Sequence, residues 1–182
     1  ERAAFILPSK FAKILSNIVP EDWMEVEISV NQTNILFEFD SYRLICRMIE
    51  GRYPNYRVVI PQKQPNRAVL KKADIVSALK RVSVFCDESS SLVVLKFDSD
   101  SLKIAAHDLD FSKSAEETIP LQSGCNIEIG FRSSFIIEMV NNIPSEDIAI
   151  TMSDPSKASI FTRCDEEVRS LTYLLMPLSI NY

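Results

Sequence analysis

The fold is decided by the stretch RAVLKKADIVSALKRV, residues 67–82, in which a short apolar run passes directly into a helix. Ile75, Leu79 and Val82 recur at the spacing of one helix face, and this pattern predicts an amphipathic helix. Apolar strands separated by polar turns follow as far as Ile119. The stretch therefore predicts a repeat of one strand, one helix and three further strands.

The same repeat is found on both sides of this stretch, with a period of about 60 residues. Upstream, residues 3–7 form an apolar run, Ser9 is the predicted N-cap of a helix, and three strands follow as far as Ile49. Downstream, a third repeat starts at Asn126 and ends with a strand at residues 171–176. The chain is therefore predicted to contain three β-α-β-β-β repeats.

A single repeat cannot form a stable domain, because the apolar faces of its sheet and helix need to be covered. The second and third repeats predict one complete α+β domain at residues 62–182. The first repeat, residues 1–61, has no mate, so we expect the chain to be the C-terminal part of a longer protein. Residues 62–66, with Pro61 and Pro65, are the predicted linker.

The composition excludes several kinds of site. Three glycines are too few for a GxGxxG or GxxxxGK[ST] phosphate loop, and the single histidine, His107, excludes HExxH and multi-histidine zinc sites. The cysteines lie far apart with no CxxC, which predicts reduced, mostly buried thiols rather than disulfides. These cysteines are Cys46, Cys86, Cys125 and Cys164.

The charge balance and the hydropathy pattern set further limits. Twenty basic and 25 acidic residues give a net charge of −5, which argues against nucleic-acid binding through bulk charge but leaves a local basic surface open. No apolar run reaches the roughly 18 residues of a membrane span, and the N-terminus lacks a signal-peptide layout. We therefore expect a cytoplasmic protein.

Three segments carry candidate chemistry, each with a structural alternative. Residues 107–110, His-Asp-Leu-Asp, offer an imidazole and two carboxylates for a divalent metal or for acid–base work, and alternatively form a polar strand end. Residues 154–157, Asp-Pro-Ser-Lys, resemble a phosphate- or metal-binding loop only superficially and favour a β-turn with Pro155 in second position. Residues 52–57 mix arginines with tyrosines, which fits a single-strand nucleic-acid platform and a rigid connector equally well.

Motifs at both ends of the chain carry a resemblance to a known family. Residues 49–56, IEGRYPNY, followed by Val59-Ile60-Pro61, resemble the signature that joins the second and third domains of the bacterial sliding clamp, the DNA polymerase III β subunit. Residues 173–178, YLLMPL, are similar to that family's ending. Shorter matches lie at Arg81-Val82, Ile129-Gly130-Phe131 and Ser153-Asp154-Pro155.

The resemblance implies a DNA clamp fold of β-α-β-β-β repeats, with helices on the inner face around duplex DNA and sheets on the outer face. It assigns residues 1–61 to the second half of clamp domain 2 and residues 62–182 to domain 3. It implies a non-enzymatic processivity factor without cofactor or metal, which forms a homodimer ring in the full-length protein. The implied partners are duplex DNA, bound non-specifically, and polymerase and clamp-loader subunits, bound through short linear motifs.

The resemblance also implies three sets of site residues. A hydrophobic peptide cleft is formed by Pro54, Val59, Arg132, Phe135, Ser156, Leu174, Met176, Pro177 and Leu178. The DNA-facing cations are Lys10, Lys13, Lys72, Lys80 and Arg81. The dimer interface contains Val84 and Phe85.

Two rival functions stay open at this point. One is a metal-dependent phosphoryl or nucleotidyl transfer enzyme centred on Asp108 and Asp110. The other is an adaptor that never contacts DNA.

Overall fold

The structure, a computed structural model, describes residues 4–19, 25–164 and 171–180. Its internal contacts divide the chain into two units, Glu1–Asn55 and Tyr56–Tyr182. The division lies N-terminal to the predicted boundary at Pro61. No helix in the described ranges is long and apolar enough to cross a bilayer.

The described residues of the first unit form one helix and an antiparallel sheet with the order β1-β2-β3. Its core is small: Ile35, Phe37 and Cys46 are buried, and the ring of Phe11 lies 5.6 Å from that of Phe37, centroid to centroid. The elements are α1 (Ser9–Ile18), β1 (Glu27–Val30), β2 (Asn34–Phe39) and β3 (Tyr42–Arg47).

Two expectations for the first repeat are wrong. Residues 4–8 lie outside any strand, and Ala3 lies outside the described residues. Pro8 rather than Ser9 occupies the N-cap position of α1, with φ −60° and ψ 136°. Its carbonyl accepts hydrogen bonds from the N–H groups of Phe11 and Ala12 at 3.0 and 3.1 Å. The fixed φ of the proline ring suits this extended cap, and no cap side chain is needed.

In the second unit, residues 56–164 and 171–180 form two helices and two four-stranded antiparallel sheets, preceded by a 3₁₀ turn at Tyr56–Val58. The second repeat supplies β4 (Asn66–Lys71), α2 (Lys72–Val82), a 3₁₀ turn (Ser83–Phe85), β5 (Leu92–Phe97), β6 (Ser101–Asp108) and β7 (Lys113–Pro120). The third supplies β8 (Ile127–Arg132), α3 (Ser133–Asn141), β9 (Asp147–Met152), β10 (Ser159–Arg163) and β11 (Tyr173–Leu175).

The two repeats of the second unit exchange their first strands. The sheet orders are β11-β10-β9-β4 and β7-β6-β5-β8, so β4 pairs with the third repeat and β8 pairs with the second. The predicted helix face is confirmed, since Ile75, Leu79 and Val82 are buried in the core that both sheets and both helices share. The sequence predicted that the repeats pair but not that they exchange strands.

The cysteines are free thiols, as predicted, but they are less buried than expected. Cys46 is buried, whereas Cys86, Cys125 and Cys164 are half-buried. Desolvation raises the pKa of the Cys86 and Cys125 thiols. Both groups are therefore held in the protonated, unreactive form at neutral pH.

Candidate functional site

An aromatic ring and a guanidinium group are exposed together where β8 passes into α3. Arg132 is the N-cap residue of α3, and its Cζ lies 5.7 Å from the centroid of the Phe135 ring in the first turn. Phe135 is 54% exposed although it lies in an apolar helix, because it faces away from the core side that Ile136 and Val140 occupy. This cation–π pair presents a flat apolar surface with a positive rim.

The C-terminal segment runs from one sheet of the second unit to the other. Leu174 pairs with Ile160 of β10, and beyond Pro177 the N–H of Leu178 donates to the Gly130 carbonyl at 2.8 Å. This hydrogen bond holds Leu178 beside Gly130, which lies two residues before Arg132 in β8. Met176, between these two anchor points, is 58% exposed.

Gly130 is a residue whose role the sequence did not assign. A Cβ atom on it would lie 2.9 Å from the Leu178 carbonyl oxygen and 2.8 Å from Cδ1 of Leu92, so only glycine allows the C-terminal segment to approach β8 this closely. A glycine inside a strand pattern is itself a signal of close backbone approach, and it was available in the sequence.

Ser156 lies in the turn that joins β9 to β10. Its N–H and Oγ both donate to Oδ1 of Asp154, at 2.9 and 2.6 Å, and Lys157 N donates to the Asp154 carbonyl as in a β-turn. This confirms the predicted turn at residues 154–157. The Lys157 ammonium, 2.8 Å from Oδ2, and the Ser156 donors lower the pKa of Asp154 to about 2.

The two remaining residues of the predicted cleft lie in different units. Pro54 belongs to the first unit, and Val59 follows the 3₁₀ turn at the start of the second. Both are exposed.

The predicted DNA-facing cations divide into two groups. Lys10 and Lys13 on α1 and Lys80 on α2 are exposed. Lys72 instead makes hydrogen bonds within the second unit. Its Nζ donates to the carbonyls of Asn141 and Ile143, at 3.0 and 2.7 Å, at the C-terminal end of α3.

Arg81 is likewise engaged, since it connects α2 to β7 through Glu117. Its Nε donates to Oε2 of Glu117 at 2.9 Å, and a second bond from Nη2 makes the pair bidentate. These hydrogen bonds raise the pKa of Arg81 and lower the pKa of Glu117.

Val84 and Phe85 lie in the 3₁₀ turn that follows α2. Val84 is 76% exposed and Phe85 is partly exposed. Neither belongs to the buried core of the second unit. Both side chains are therefore free to meet another protein surface.

Asp108 and Asp110 meet a third carboxylate, Asp87, that the sequence did not single out. One carboxylate oxygen of each lies within 4.8 Å of the others. Asp108 is buried and its Oδ1 accepts a hydrogen bond from Phe111 N at 3.1 Å, while Asp87 accepts from Ser89 Oγ and Ser90 N, which lowers its pKa. Asp108 and Asp87 thus stabilise turns, which favours the polar strand-end interpretation.

Comparison with known families matches nearly the whole chain. The DNA polymerase III beta subunit, central domain, matches residues 1–55, and its C-terminal domain matches residues 57–179. Among curated proteins, the beta sliding clamp of Borreliella burgdorferi is 27% identical over 184 residues, and that of Synechocystis is 26% identical over 181. Each comparison covers 97% or more of this chain but 46% of the relative, so the chain spans about half the length of these relatives.

Solved structures agree in fold. A DNA polymerase III subunit beta from Pseudomonas aeruginosa superposes with a TM-score of 0.88 at 24% identity, covering 97% of this chain and 48% of that one. A DnaN sliding clamp from Bartonella birtlesii gives a TM-score of 0.85 at 25% identity, covering 97% and 50%. These likenesses confirm the predicted α+β clamp fold. With both family domains matched in chain order, this chain is a member of the DNA polymerase III beta subunit family.

Proposed function

We propose that this chain is part of a DNA polymerase processivity factor, a sliding clamp that encircles duplex DNA. The observation that carries the proposal is the ordered match of a central and a C-terminal clamp domain over residues 1–55 and 57–179. Residues 1–61 are the second half of the central domain, and residues 62–182 are the complete third domain. The full-length protein closes into a homodimer ring in the cytoplasm.

If a closed ring holds DNA by topology, its retention should depend on whether the DNA has free ends. The full-length protein, loaded onto circular duplex DNA, should stay bound through gel filtration and should be lost once the circle is linearised. If the protein is lost at the same rate from circular and from linear DNA, the result would favour an ordinary DNA-binding protein or the adaptor that never contacts DNA.

We assign weak phosphate contacts to Lys10, Lys13 and Lys80, whose ammonium groups are exposed. Such contacts act through counterion release and carry no sequence information, as a sliding protein requires. Lys72 and Arg81 contribute to the local positive potential, but their donors are already bound by carbonyls and by Glu117.

We assign the peptide cleft to Phe135, Met176 and Leu178, together with Arg132, Leu174, Pro177, Ser156 and Val59, all of the second unit. The exposure of Phe135 and Met176 supports the assignment, because both apolar side chains are accessible to a ligand. The flexible side chain of Met176 can adapt to different side chains of a ligand, and Pro177 loses little conformational entropy when the ligand binds. The ligand is a short linear motif with leucine and phenylalanine anchors.

Fluorescence polarisation tests this site on the chain as it stands. A labelled Gln-Leu-x-Leu-Phe peptide should bind at micromolar strength, about −8 kcal/mol, and Phe135→Ala and Met176→Ala should each weaken it at least about tenfold. Phe111→Ala is the matched control, since Phe111 is an exposed aromatic of the β6–β7 turn. Equal affinities of all the variants, with circular dichroism unchanged, would refute the cleft.

We assign the protomer contact of the full-length ring to Val84 and Phe85, which are exposed directly after α2. Phe85→Ala should convert the full-length dimer into monomers in sedimentation experiments. A dimer of unchanged strength would show that the pair lies elsewhere than in the interface.

We also propose that the protein has no catalytic centre, cofactor or metal of its own. Asp108 and Asp87 are committed to hydrogen bonds within their turns, and the matched families do not support the metal-dependent transfer enzyme. Isothermal titration with Mg²⁺ or Mn²⁺ should show no stoichiometric binding. Tight binding that Asp108→Ala abolishes would revive the enzyme hypothesis.

A further inference from the structure

A groove lies on the sheet β7-β6-β5-β8 of the second unit, on the face that is turned away from the core. Strand alternation defines this face: Val93 and Leu95 are fully buried in the core, so Leu92 and Val94 of β5 point to the other side. The groove has a volume of about 490 Å³, which is within the range of ligand sites, roughly 300–1,000 Å³. Its floor, at Leu92 and Val94, is apolar.

The C-terminal segment forms one wall of this groove. A Cβ atom on Gly130 would lie 3.1 Å from Cγ1 of Ile180, and Gly130 is the partner of Val94 across β8 and β5. Ile180 therefore lies over these two strands. This position accounts for the low exposure of Val94, 8%, on a face that is turned away from the core.

The turn between β6 and β7 forms the opposite wall, because β6 and β8 lie on the two sides of β5. Leu109 in this turn lines the groove and is 83% exposed. Leu109 and Ile180 thus place apolar side chains on both sides of an apolar floor.

Carboxylates lie at one end of the groove. Asp87 precedes β5 and Asp110 follows β6, and because these strands are antiparallel both residues lie at the same end of the sheet. Their carboxylate oxygens lie within 4.8 Å of one another and of an oxygen of Asp108. Hydrogen bonds from Ser89 and Ser90 lower the pKa of Asp87, so this group is ionised at neutral pH.

Within residues 4–19, 25–164 and 171–180, the chain supplies no ion pair to these three carboxylates. Lys113 is the partner of Asp108 across β6 and β7, but its ammonium lies 4.7 Å from the centroid of the Phe111 ring. Asp110 is exposed. A cation from outside the chain would therefore relieve the repulsion between like charges at this end of the groove.

We propose that the groove docks a segment of another protein in which an arginine adjoins an apolar side chain. The guanidinium binds Asp87 and Asp110, because its planar fork of donors matches carboxylate oxygens. The apolar neighbour packs on the floor between Leu109 and Ile180. The proposal does not depend on the proposed function.

The chemistry of the groove favours this ligand over a metal ion and over a wholly apolar ligand. Asp87 and Asp108 already accept hydrogen bonds within their turns, and the apolar floor offers a metal ion no ligand atoms. A wholly apolar ligand would cover the Asp110 carboxylate without a partner, which costs free energy. An arginine beside an apolar group satisfies both parts of the lining.

Fluorescence polarisation on the 182-residue chain tests the proposal with a labelled Gly-Arg-Leu-Arg-Gly peptide. We expect a Kd of about 100 μM at low salt, because a ligand of this size buries only two or three side chains. Asp110→Asn and Leu109→Ser, both at exposed positions, should each weaken binding at least about fivefold. Asp100→Asn is the matched control, since it removes the same charge from the exposed β5–β6 turn at the other end of the strands. Equal affinities of Asp110→Asn and Asp100→Asn overturn the proposal.

Two altered peptides test the two halves of the ligand. Gly-Arg-Ser-Arg-Gly should bind at least about fivefold more weakly than the leucine peptide, and Gly-Glu-Leu-Glu-Gly should not bind. Equal binding of the leucine and serine peptides would mean that charge attraction acts alone, and it overturns the proposal.

The proposed peptide cleft provides a further control, because neither Phe135 nor Met176 lines this groove. Phe135→Ala should leave the affinity for Gly-Arg-Leu-Arg-Gly unchanged, and an excess of the Gln-Leu-x-Leu-Phe peptide should not displace it. Displacement would place the arginine peptide in the cleft. That result overturns the groove and leaves the proposed function untouched.

Other occupants of the groove give different results. If the arginine peptide binds only after residues 181–182 are deleted, the chain itself competes for the groove. If a second copy is the occupant, sedimentation equilibrium of the chain alone will show a dimer that Leu109→Ser disrupts. Either result overturns the proposal.

Discussion

At the residue scale, single polar and glycine positions decide how loops and termini are held. Asp154 gathers three donors within one turn, and Gly130 admits the C-terminal segment against β8. The sequence predicted the turn at Asp154, because turn residues act locally. It named Gly130 only as part of a motif, because the atoms that crowd it come from Leu92 and Leu178, which are far along the chain.

Asp154→Asn tests the turn through pH dependence. Because the pKa of Asp154 falls from 3.8 to about 2 on folding, the carboxylate stabilises the fold fully above pH 3.8, and this contribution is lost as the pH falls toward 2. The group is about one-third exposed, so solvent screens it and we expect a melting temperature lower by no more than about 3 °C at pH 7. The difference should disappear near pH 2, whereas Asp100→Asn, in an exposed turn, should show none.

Gly130→Ala tests the close approach at the proposed cleft. The added methyl would overlap the Leu178 carbonyl and the Leu92 side chain, so we expect a loss of about 1–3 kcal/mol in urea unfolding and weaker peptide binding. Gly124→Ala is the matched control, since its Cβ would overlap the carbonyls of Asp98 and Ser99 instead. It should lower stability but leave peptide binding intact, and equal binding by both variants would contradict the role of Gly130.

At the element scale, the helices were predictable and the strand pairing was not. Helix periodicity lies within a few residues, so α2 and its buried face could be read directly from residues 67–82. The pairing of β4 with β9 joins residues about 80 positions apart, for which a single sequence holds no register signal. Of the strand predicted at residues 3–7, the described residues 4–7 form no ladder, and Ile6 O accepts one backbone hydrogen bond there, from Ile49 N.

Lys72 shows how an element end can depend on a distant side chain. Its ammonium binds two carbonyls at the C-terminal end of α3, where the helix dipole also favours a cation. Lys72→Met keeps the aliphatic stem and should cost about 1 kcal/mol in urea unfolding. Lys71→Met, at the neighbouring exposed position, should cost little, and equal midpoints for the two variants would show that the cap contributes nothing.

At the scale of the whole molecule, the two units differ in the size of their cores. The core cluster described in the first unit consists of Ile35, Phe37 and Cys46, while that of the second draws on both helices and both sheets. The sequence predicted this asymmetry from the unpaired repeat. The assignment of the cleft came from resemblance instead, because its residues are distributed over several elements and no local pattern marks them.

We therefore expect residues 56–182 to fold without the first unit. The separate fragment should melt in one cooperative transition, at nearly the temperature of the second unit in the whole chain. In the whole chain, amide hydrogens of β2 should exchange faster than those of β9, as measured by hydrogen–deuterium exchange. A fragment without cooperative melting, or faster exchange in β9, would contradict this.

The exchange of first strands makes the second unit tolerant of a broken backbone. β8 follows residues 121–126 in the chain but lies in the sheet of β5, β6 and β7, which precede these residues. β4 precedes residues 121–126 but lies in the sheet of β9, β10 and β11, which follow them. A protease cut in this connection would therefore leave two pieces, each with a strand embedded in the other's sheet. Expressed as separate polypeptides, the two halves should find each other and reconstitute the domain, as split reporter proteins do.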